Sequence, residues 1–338
     1  KYTGHDNNRD WFMFTQKETK LVVDHCLNNW HPQILFDLHQ TRSTGMRMIL
    51  PPLIDPIAPN IDPILQSQAT TLGASIAADL ISQGKTGIAM NVVYDSYSPN
   101  RGYQHYHNGI RLLSEVASVK IATPIELLHS QISSDRGESP LEISWNHPAP
   151  WEPGKWTLRN IGEYDFAAVM ACLDHAARNR DKWLRNFYQV GQNAVSNKKR
   201  VFAFMIPEKQ HDSHALWELL NVMKIGGVEI HKAKETFQAE GYPYPPGTIV
   251  ILTNQPYGSF AQTLLEPHQY PVERLIDGTP KTPYDVTAHC LPVKLGVNVY
   301  KSMTFFTANL EKIENSKTIV EFSLGCLLYT SPSPRDRG

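Results

Sequence analysis

The chain has 338 residues, of which 41% are hydrophobic and 19% are charged, and its formal net charge at pH 7 is −1. This length is sufficient for two hydrophobic cores, and the near-neutral balance indicates neither a nucleic-acid-binding nor a membrane-binding surface. Because the sequence lacks a run of about 18 apolar residues and a CxxC pair, we expect no membrane span, disulfide framework or cysteine zinc site.

The first distinctive segment is residues 4–11, which have the sequence GHDNNRDW. Within it, Asn8 offers an amide donor, and Arg9 offers a planar guanidinium that can bind a carboxylate through two parallel hydrogen bonds. Alternatively, Asp6 and Asn7 only cap the backbone of a turn at the end of a strand. The segment alone is compatible with both interpretations.

A helix and a strand are predicted next. Apolar residues recur at helical spacing from Lys17 to Trp30, and residues Gln33 to Leu38 form the pattern of a buried strand. We expect His39 just past the end of this strand, where a single histidine is most often an ordinary polar end residue. Asp37 and Gln40 are candidates to hydrogen-bond its imidazole.

Helices and strands continue to alternate along the chain. Asn60 to Gln83 is typical of a helix, Ile88 to Val93 of a strand, Ser96 to Gly109 of a loop and Ile110 to Val116 of a strand. This order predicts an α/β fold in which helices cover both faces of a mostly parallel sheet. The ligand crevice of such a sheet lies outside the carboxyl ends of its strands, close to the positions expected for His39 and Tyr94.

Glu115 is a carboxylate among apolar neighbours within the last of these strands. Burial without a cationic partner raises the pKa of a carboxylate, which suits a general base acting near neutral pH. The structural alternative is an ion pair between Glu115 and either Arg111 or Lys120.

Together these segments resemble the second half of the catalytic domain of the zinc carboxypeptidases, the M14 metallopeptidase family. In that family a motif similar to GxDxNRNW presents Asn and Arg to the terminal carboxylate of the substrate. Asn8 and Arg9 occupy the matching positions here, while Asp10 replaces the second Asn of the motif. The resemblance implies a three-layer α/β/α fold and substrate binding by Asn8 and Arg9.

The resemblance also implies roles for three later side chains. His39 would be the third zinc ligand, Glu115 the general base acting on zinc-bound water, and Tyr94 a mobile substrate-binding tyrosine. Three further tyrosines compete with Tyr94 for that role: Tyr97, Tyr103 and Tyr106.

Two zinc ligands of the family are missing from this sequence. They come from an upstream HxxE motif, and none of the 14 histidines here is followed by Glu at the third position. The oxyanion arginine of the family also precedes the Asn-Arg pair. We therefore expect the chain alone to be inactive, and the missing residues to precede Lys1 in an active parent protein.

The implied reaction is zinc-dependent hydrolysis of a C-terminal peptide bond. An alternative within the same chemistry is a zinc-dependent deacylase or amidase of N-acyl amino acids, and an alternative of another class is a catalytically dead carboxylate-binding module. The expected substrate is a peptide or N-acyl amino acid with a free C-terminal carboxylate, and no nucleic-acid partner is expected. By resemblance we also expect a periplasmic or secreted parent protein.

Three regions are predicted along the chain. Residues 1–195 correspond to the C-terminal part of the catalytic domain, closed by a helix from Glu163 to Tyr188. Residues 200–325 are expected to form a smaller α/β accessory domain, loosely similar to class I amidotransferases. Residues 326–338 match one reading frame of a common transposon-based sequencing adapter, and we predict that they are not biological.

Other polar groups have simpler interpretations. His105 and His107 have a spacing compatible with a metal site, but loop histidines of this kind are usually solvated or hydrogen-bonded. Asp212 begins a predicted helix as a capping residue, which favours capping over metal binding by the neighbouring histidines. Residues 283–287, PYDVT, are distinctive but suggest no mechanism.

Overall fold

A computed structural model describes residues 5–134, 138–196, 201–271, 277–280, 282–285 and 288–314. It confirms the predicted α/β class, with helices and sheets in mixed order along the chain. The chain divides into two compact units: residues 1–194 with 269–287 form the first unit, and residues 195–268 with 288–338 form the second unit. The predicted adapter-derived residues lie outside the described residues.

The helix predicted from Lys17 to Trp30 is helical throughout but changes its geometry in the middle. It begins as α1 (Lys17–Val22), widens into a π-helical segment at Val23–Leu27, and ends as α2 (Asn28–Trp30). His31 ends it in the left-handed region, with φ at 45°. The apolar spacing therefore predicted the helix and its end, but not the wider turn.

A four-stranded mixed sheet carries most of the candidate residues. Its strand order is β1-β6-β2-β4, in which β1 pairs with β6 and β2 with β4 in parallel, while β2 and β6 are antiparallel. The strands are β1 (Ile34–Thr41), β2 (Met48–Leu50), β4 (Ile88–Met90) and β6 (Ile110–Ala117). Since β2 was not predicted, the antiparallel pairing was not anticipated either.

The end of β1 differs from its prediction. The strand continues to Thr41, so His39 lies within it and not beyond its end. The reason is the pairing with β6, which runs from Ile34 opposite Ile110 to Thr41 opposite Ala117 and supplies backbone partners along the whole strand.

Three long helices accompany this sheet. In α3 (Pro63–Ser82), the Asp62 side chain accepts a hydrogen bond from the Ile64 amide at 2.9 Å and caps the first turn. The closing helix predicted from Glu163 to Tyr188 is two helices, α4 (Leu158–Arg178) and α5 (Arg180–Ser196), which are separated at Asn179. None of the described helices has the length and apolar character needed to cross a membrane.

Short elements complete the first unit. Two small two-stranded sheets pair β3 (Ile54–Ile57) with β5 (Asp95–Ser96), and β7 (Ile125–Glu126) with β8 (Lys155–Trp156). Short 3₁₀ turns occupy Asn7–Arg9, Pro99–Arg101, Tyr103–Tyr106 and His129–Gln131. Two of these turns lie in the loop that was predicted between residues 96 and 109.

The second unit is built on a five-stranded sheet of order β14-β9-β13-β10-β15, in which all four pairings are antiparallel. Asp212 caps its first helix by accepting hydrogen bonds from the amides of His214 and Ala215, as predicted. Its strands are β9 (Ala203–Ile206), β10 (His231–Ala233), β13 (Ile249–Leu252), β14 (Tyr300–Ser302) and β15 (Leu310–Lys312), with a hairpin of β11 (Phe237–Ala239) and β12 (Tyr242–Tyr244). Its helices are α6 (Ser213–Ile225), α7 (Gly258–Leu265) and α8 (Leu291–Leu295).

Candidate functional site

The parallel pairing of β1 with β6 places His39 directly opposite Glu115. Side chains alternate between the two faces of a strand, so Asp37 lies on the same face as His39, and Arg111 on the same face as Glu115. Two side chains expected to act together from their order in the sequence are therefore neighbours across one strand pair. The sequence could not predict this register, because it does not show which strands pair.

Asp37 joins two of these side chains. One of its carboxylate oxygens lies 2.8 Å from His39 Nε2, and the other accepts hydrogen bonds from Arg111, including one from Nε at 2.8 Å. Burial alone would raise the pKa of Asp37, but the hydrogen bond with His39 and the charge of Arg111 outweigh it and lower the pKa. Asp37 is the described partner of the imidazole, whereas Gln40 accepts a hydrogen bond from Ser118.

Glu115 is buried, with 8% of its surface exposed, and its carboxylate accepts a hydrogen bond from the Tyr94 hydroxyl. Burial raises the pKa of Glu115, although the charge of His39, the Tyr94 hydrogen bond and the charge of Arg111 each oppose that rise. Arg111 forms its ion pair with Asp37, not with Glu115. A carboxylate with a raised pKa, held by one hydroxyl, has the properties of a general base.

Tyr94 is buried and lies in the chain between β4 and β5, immediately before Asp95. Its hydroxyl is hydrogen-bonded to Glu115 and to Thr41. Burial and the nearby Glu115 carboxylate raise the pKa of Tyr94, so that it remains a neutral donor. Its ring packs edge-on against Tyr284, with the ring centroids 4.8 Å apart.

The competing tyrosines have other partners. The Tyr97 hydroxyl donates a hydrogen bond to the Gln269 carbonyl oxygen at 2.9 Å, and the Tyr103 hydroxyl donates one to Asn28 Oδ1 at 2.6 Å. Tyr106 is buried as well. Among the four candidates, Tyr94 is the tyrosine that the structure places against Glu115.

Asn8 and Arg9 lie in the first 3₁₀ turn, which Asp6 caps by accepting a hydrogen bond from the Asn8 amide at 3.0 Å. The capping interpretation of this segment is thus realised, and it leaves both candidate side chains available for other contacts. Asn8 Oδ1 accepts a hydrogen bond from Arg111 Nη2 at 3.4 Å, which links the turn to the sheet. Arg9 Nε donates to Asp285 Oδ1 at 2.8 Å.

Asp10, which replaces the second Asn of the family motif, is a structural residue. It is fully buried, and its carboxylate accepts hydrogen bonds from the Thr15 amide at 3.0 Å, the Thr15 hydroxyl at 2.6 Å, the Gln16 amide at 2.9 Å and the Thr19 hydroxyl. Burial alone would raise its pKa, but these donors outweigh burial and lower the pKa. Asp10 therefore ties the turn of Asn8 and Arg9 to the start of α1.

Arg101 is a site residue that sequence reasoning did not identify. Its side chain is 7% exposed, its Nε lies 3.4 Å from Asp285 Oδ2, and its Nη2 donates to the Asp95 carbonyl oxygen at 2.9 Å. Nothing in the composition of its loop distinguishes it from an exposed cation. Arg111 did carry a signal, because a charged residue inside a strand of apolar residues needs a partner.

The two histidines of the loop are not arranged as a metal pair. His105 is buried, and burial together with the charges of Arg111 and Arg101 lowers its pKa to about 3, so the imidazole is neutral. His107 Nδ1 lies 2.8 Å from the Tyr103 carbonyl oxygen. The contact of His107 supports the hydrogen-bonded interpretation of that residue, whereas the His105 Nδ1 is buried without a hydrogen-bond partner among the described residues.

Two cavities border the candidate residues. One of about 230 Å³ is lined by Asn8, Trp11, Asp37 and His39 among others, and one of about 100 Å³ by Trp11, Asp37, Arg101 and Arg111. A larger cavity of about 340 Å³ lies between α3 and α5 and touches none of the predicted site residues.

A zinc ion needs three or four ligands in such a site. Among the described residues, no group of three His, Cys, Asp or Glu side chains is arranged to hold a metal ion. His39 remains a candidate ligand, with its Nε2 beside Asp37. The described residues therefore do not by themselves form a zinc site.

No protein-family model matches the sequence, and neither curated proteins nor solved structures give a significant match.

Proposed function

We propose that this chain carries the carboxylate-binding residues and the general base of a carboxypeptidase-type hydrolase. The observation that carries the proposal is the pairing of His39 with Glu115 across β1 and β6, beside a cavity bordered by Asn8 and His39. Arg111 connects the parts, since it contacts both Asn8 and Asp37, which in turn contacts His39. The M14 resemblance adds zinc as the expected metal, with His39 as one ligand.

In this proposal each side chain has one task. Arg9 and Asn8 bind the terminal carboxylate of a peptide or an N-acyl amino acid and so select a chain end. Glu115 takes a proton from the attacking water and passes it to the leaving amine, for which a raised pKa is useful. Tyr94 donates a hydrogen bond to Glu115 and keeps the carboxylate oriented.

The test uses the protein expressed from its gene, with any coding sequence that precedes Lys1 included. That sequence should contain an HxxE motif and an arginine, and the protein should hydrolyse peptides or N-acyl amino acids in the presence of zinc. Assaying both substrate classes separates a peptidase from a deacylase. Zinc binding without any turnover on either class would contradict the hydrolase proposal and favour a carboxylate-binding module.

Two substitutions test the residue roles in that protein. Glu115→Gln should retain zinc and lose turnover by about 100-fold or more, the scale of general-base catalysis. His39→Ala should lose zinc with the fold intact, as measured by metal content and circular dichroism. The matched control is Glu126→Gln, an exposed glutamate in β7, which should leave both properties unchanged. Full activity of Glu115→Gln would refute its role as the base.

A further inference from the structure

Arg9, the proposed carboxylate-binding residue, already binds a carboxylate of its own chain. Its Nε donates to Asp285 Oδ1 at 2.8 Å, across a sequence separation of 276 residues. The Asp285 side chain is only 8% exposed, and that of Arg9 is 27% exposed. The contact is therefore largely shielded from water, where charge-assisted hydrogen bonds are strongest.

Arg101 faces the second oxygen of the same carboxylate. Its Nε lies 3.4 Å from Asp285 Oδ2, and its side chain is 7% exposed. One carboxylate thus lies between two guanidinium groups, with one oxygen toward each. This is the arrangement in which a pair of arginines binds a carboxylate ligand.

Tyr284, the residue before Asp285, contacts both Arg101 and the tyrosine beside the proposed base. Its ring packs edge-on against Tyr94, which is hydrogen-bonded to Glu115. The guanidinium carbon of Arg101 lies 4.6 Å from the centroid of the Tyr284 ring, within the range of a cation–π contact. Tyr284 and Asp285 together therefore span from the two arginines to the tyrosine beside Glu115.

The third arginine of the site, Arg111, is not available to bind the substrate carboxylate in place of Arg9 and Arg101. Arg111 is paired with Asp37 through its Nε at 2.8 Å. A ligand carboxylate placed beside Asp285 would meet a like charge in a poorly hydrated space, which is unfavourable. Binding at Arg9 and Arg101 consequently requires that Asp285 leave them.

We propose that Asp285 is an internal ligand of a carboxylate-binding site formed by Arg9 and Arg101, and that a substrate carboxylate binds by displacing Tyr284 and Asp285. This inference rests on the proposed function, since it assigns the occupant of the same site. It adds Arg101 to the binding residues and makes residues 284–285 a built-in competitor of the substrate.

The experiment measures binding to the chain itself, by calorimetry, with N-acetyl-L-leucine as the probe and its C-terminal amide as the uncharged counterpart. Asp285→Asn should lower the Kd of the acid by about tenfold and leave that of the amide unchanged. Arg101→Gln, added to Asp285→Asn, should reverse this gain. The matched control is Asp277→Asn, which alters an exposed aspartate and should change neither Kd.

Tyr284→Ala provides a second variant that keeps the Asp285 carboxylate. It removes the ring contacts with Tyr94 and Arg101, so the acid should again bind more tightly than in the unchanged chain. Thermal denaturation shows which variants are folded. If Asp285→Asn does not fold, the binding of the acid to Tyr284→Ala tests the proposal instead. Unchanged or weaker binding of the acid in the folded variants, or equal gains for the amide, would overturn the proposal. Because no metal or turnover enters the measurement, its failure is distinct from failure of the hydrolase proposal.

Discussion

The two units differ in whether their charged side chains are buried. In the described part of the first unit, charged side chains are buried at several positions: Asp10, Arg47, Asp95, Arg101, Arg111 and Glu115. In the described part of the second unit every buried polar side chain is neutral, and ion pairs such as that of Lys232 with Glu208 are exposed. Burying charge is costly unless the group is partnered. The buried Asp10 has a structural role, whereas Arg101, Arg111 and Glu115 lie at the candidate site.

The two units should therefore be sensitive to different kinds of substitution. The first unit depends on hydrogen-bonded carboxylates and arginines, whose loss leaves partners unsatisfied in the interior. The second unit depends on close packing of neutral groups, as where helix α7 begins against residue Thr253. Three substitutions, in order of decreasing expected effect, test this difference.

The largest effect is expected from Asp10→Ala in the first unit. The substitution leaves the buried Gln16 amide and Thr19 hydroxyl, together with the amide and hydroxyl of the exposed Thr15, without their acceptor, and should lower the free energy of unfolding by about 4 kcal/mol. Urea denaturation followed by tryptophan fluorescence measures the loss. The matched control in the second unit, Glu208→Ala, removes an exposed ion pair and should cost less than about 1 kcal/mol. Equal losses in the two variants would contradict the contrast.

A slightly smaller effect is expected from Gly258→Ala in the second unit. A Cβ at this position would lie 1.8 Å from the Thr253 carbonyl oxygen, so the start of α7 must shift, at a cost of about 3 kcal/mol. Hydrogen exchange of the second unit's amides measures this locally. The control, Gly241→Ala, has a φ of +80° but open space around it, and should cost about 1 kcal/mol. A greater loss at residue 241 would show that packing is not the sensitive property.

The smallest effect is a gain in stability from Glu115→Gln. Because burial raises the pKa of Glu115 in the folded chain, its contribution to stability is present below the unfolded pKa and is lost as the pH rises through the folded pKa. The variant should therefore be more stable than the unchanged chain by about 1 kcal/mol at pH 7. Urea titrations should show this difference disappearing near about pH 4. No gain at neutral pH would mean that the buried carboxylate is fully compensated.

Local patterns predicted the elements well, and pairings poorly. The apolar spacing of residues 17–30 and the pattern of residues 60–83 predicted helices that the structure contains, because these signals are local. The end of β1 was wrong because pairing with β6, distant in sequence, extends it through His39 to Thr41. Nothing local could show that Tyr94, rather than Tyr97, reaches Glu115.

The candidate site was predictable only where its residues follow a motif. Asn8, Arg9, His39 and Glu115 were identified by type and order, and their roles remain predictions. Arg101 and Asp285 were missed because their relation is a contact between distant parts of the chain. The segment PYDVT at residues 283–287 was distinctive in the sequence, but its meaning required knowing which residues lie beside Asp285.

The connectivity of the first unit has a consequence for its biosynthesis. During synthesis, residues 1–194 of the first unit are made first, followed by residues 195–268 of the second unit. Residues 269–287, which also belong to the first unit, are made only after these. Arg9 therefore emerges from the ribosome long before Asp285, and until then the arginines lack this carboxylate. A nascent chain stopped at residue 268 should already bind small carboxylates. Once residues 269–287 are added, the Asp285 carboxylate occupies the arginines.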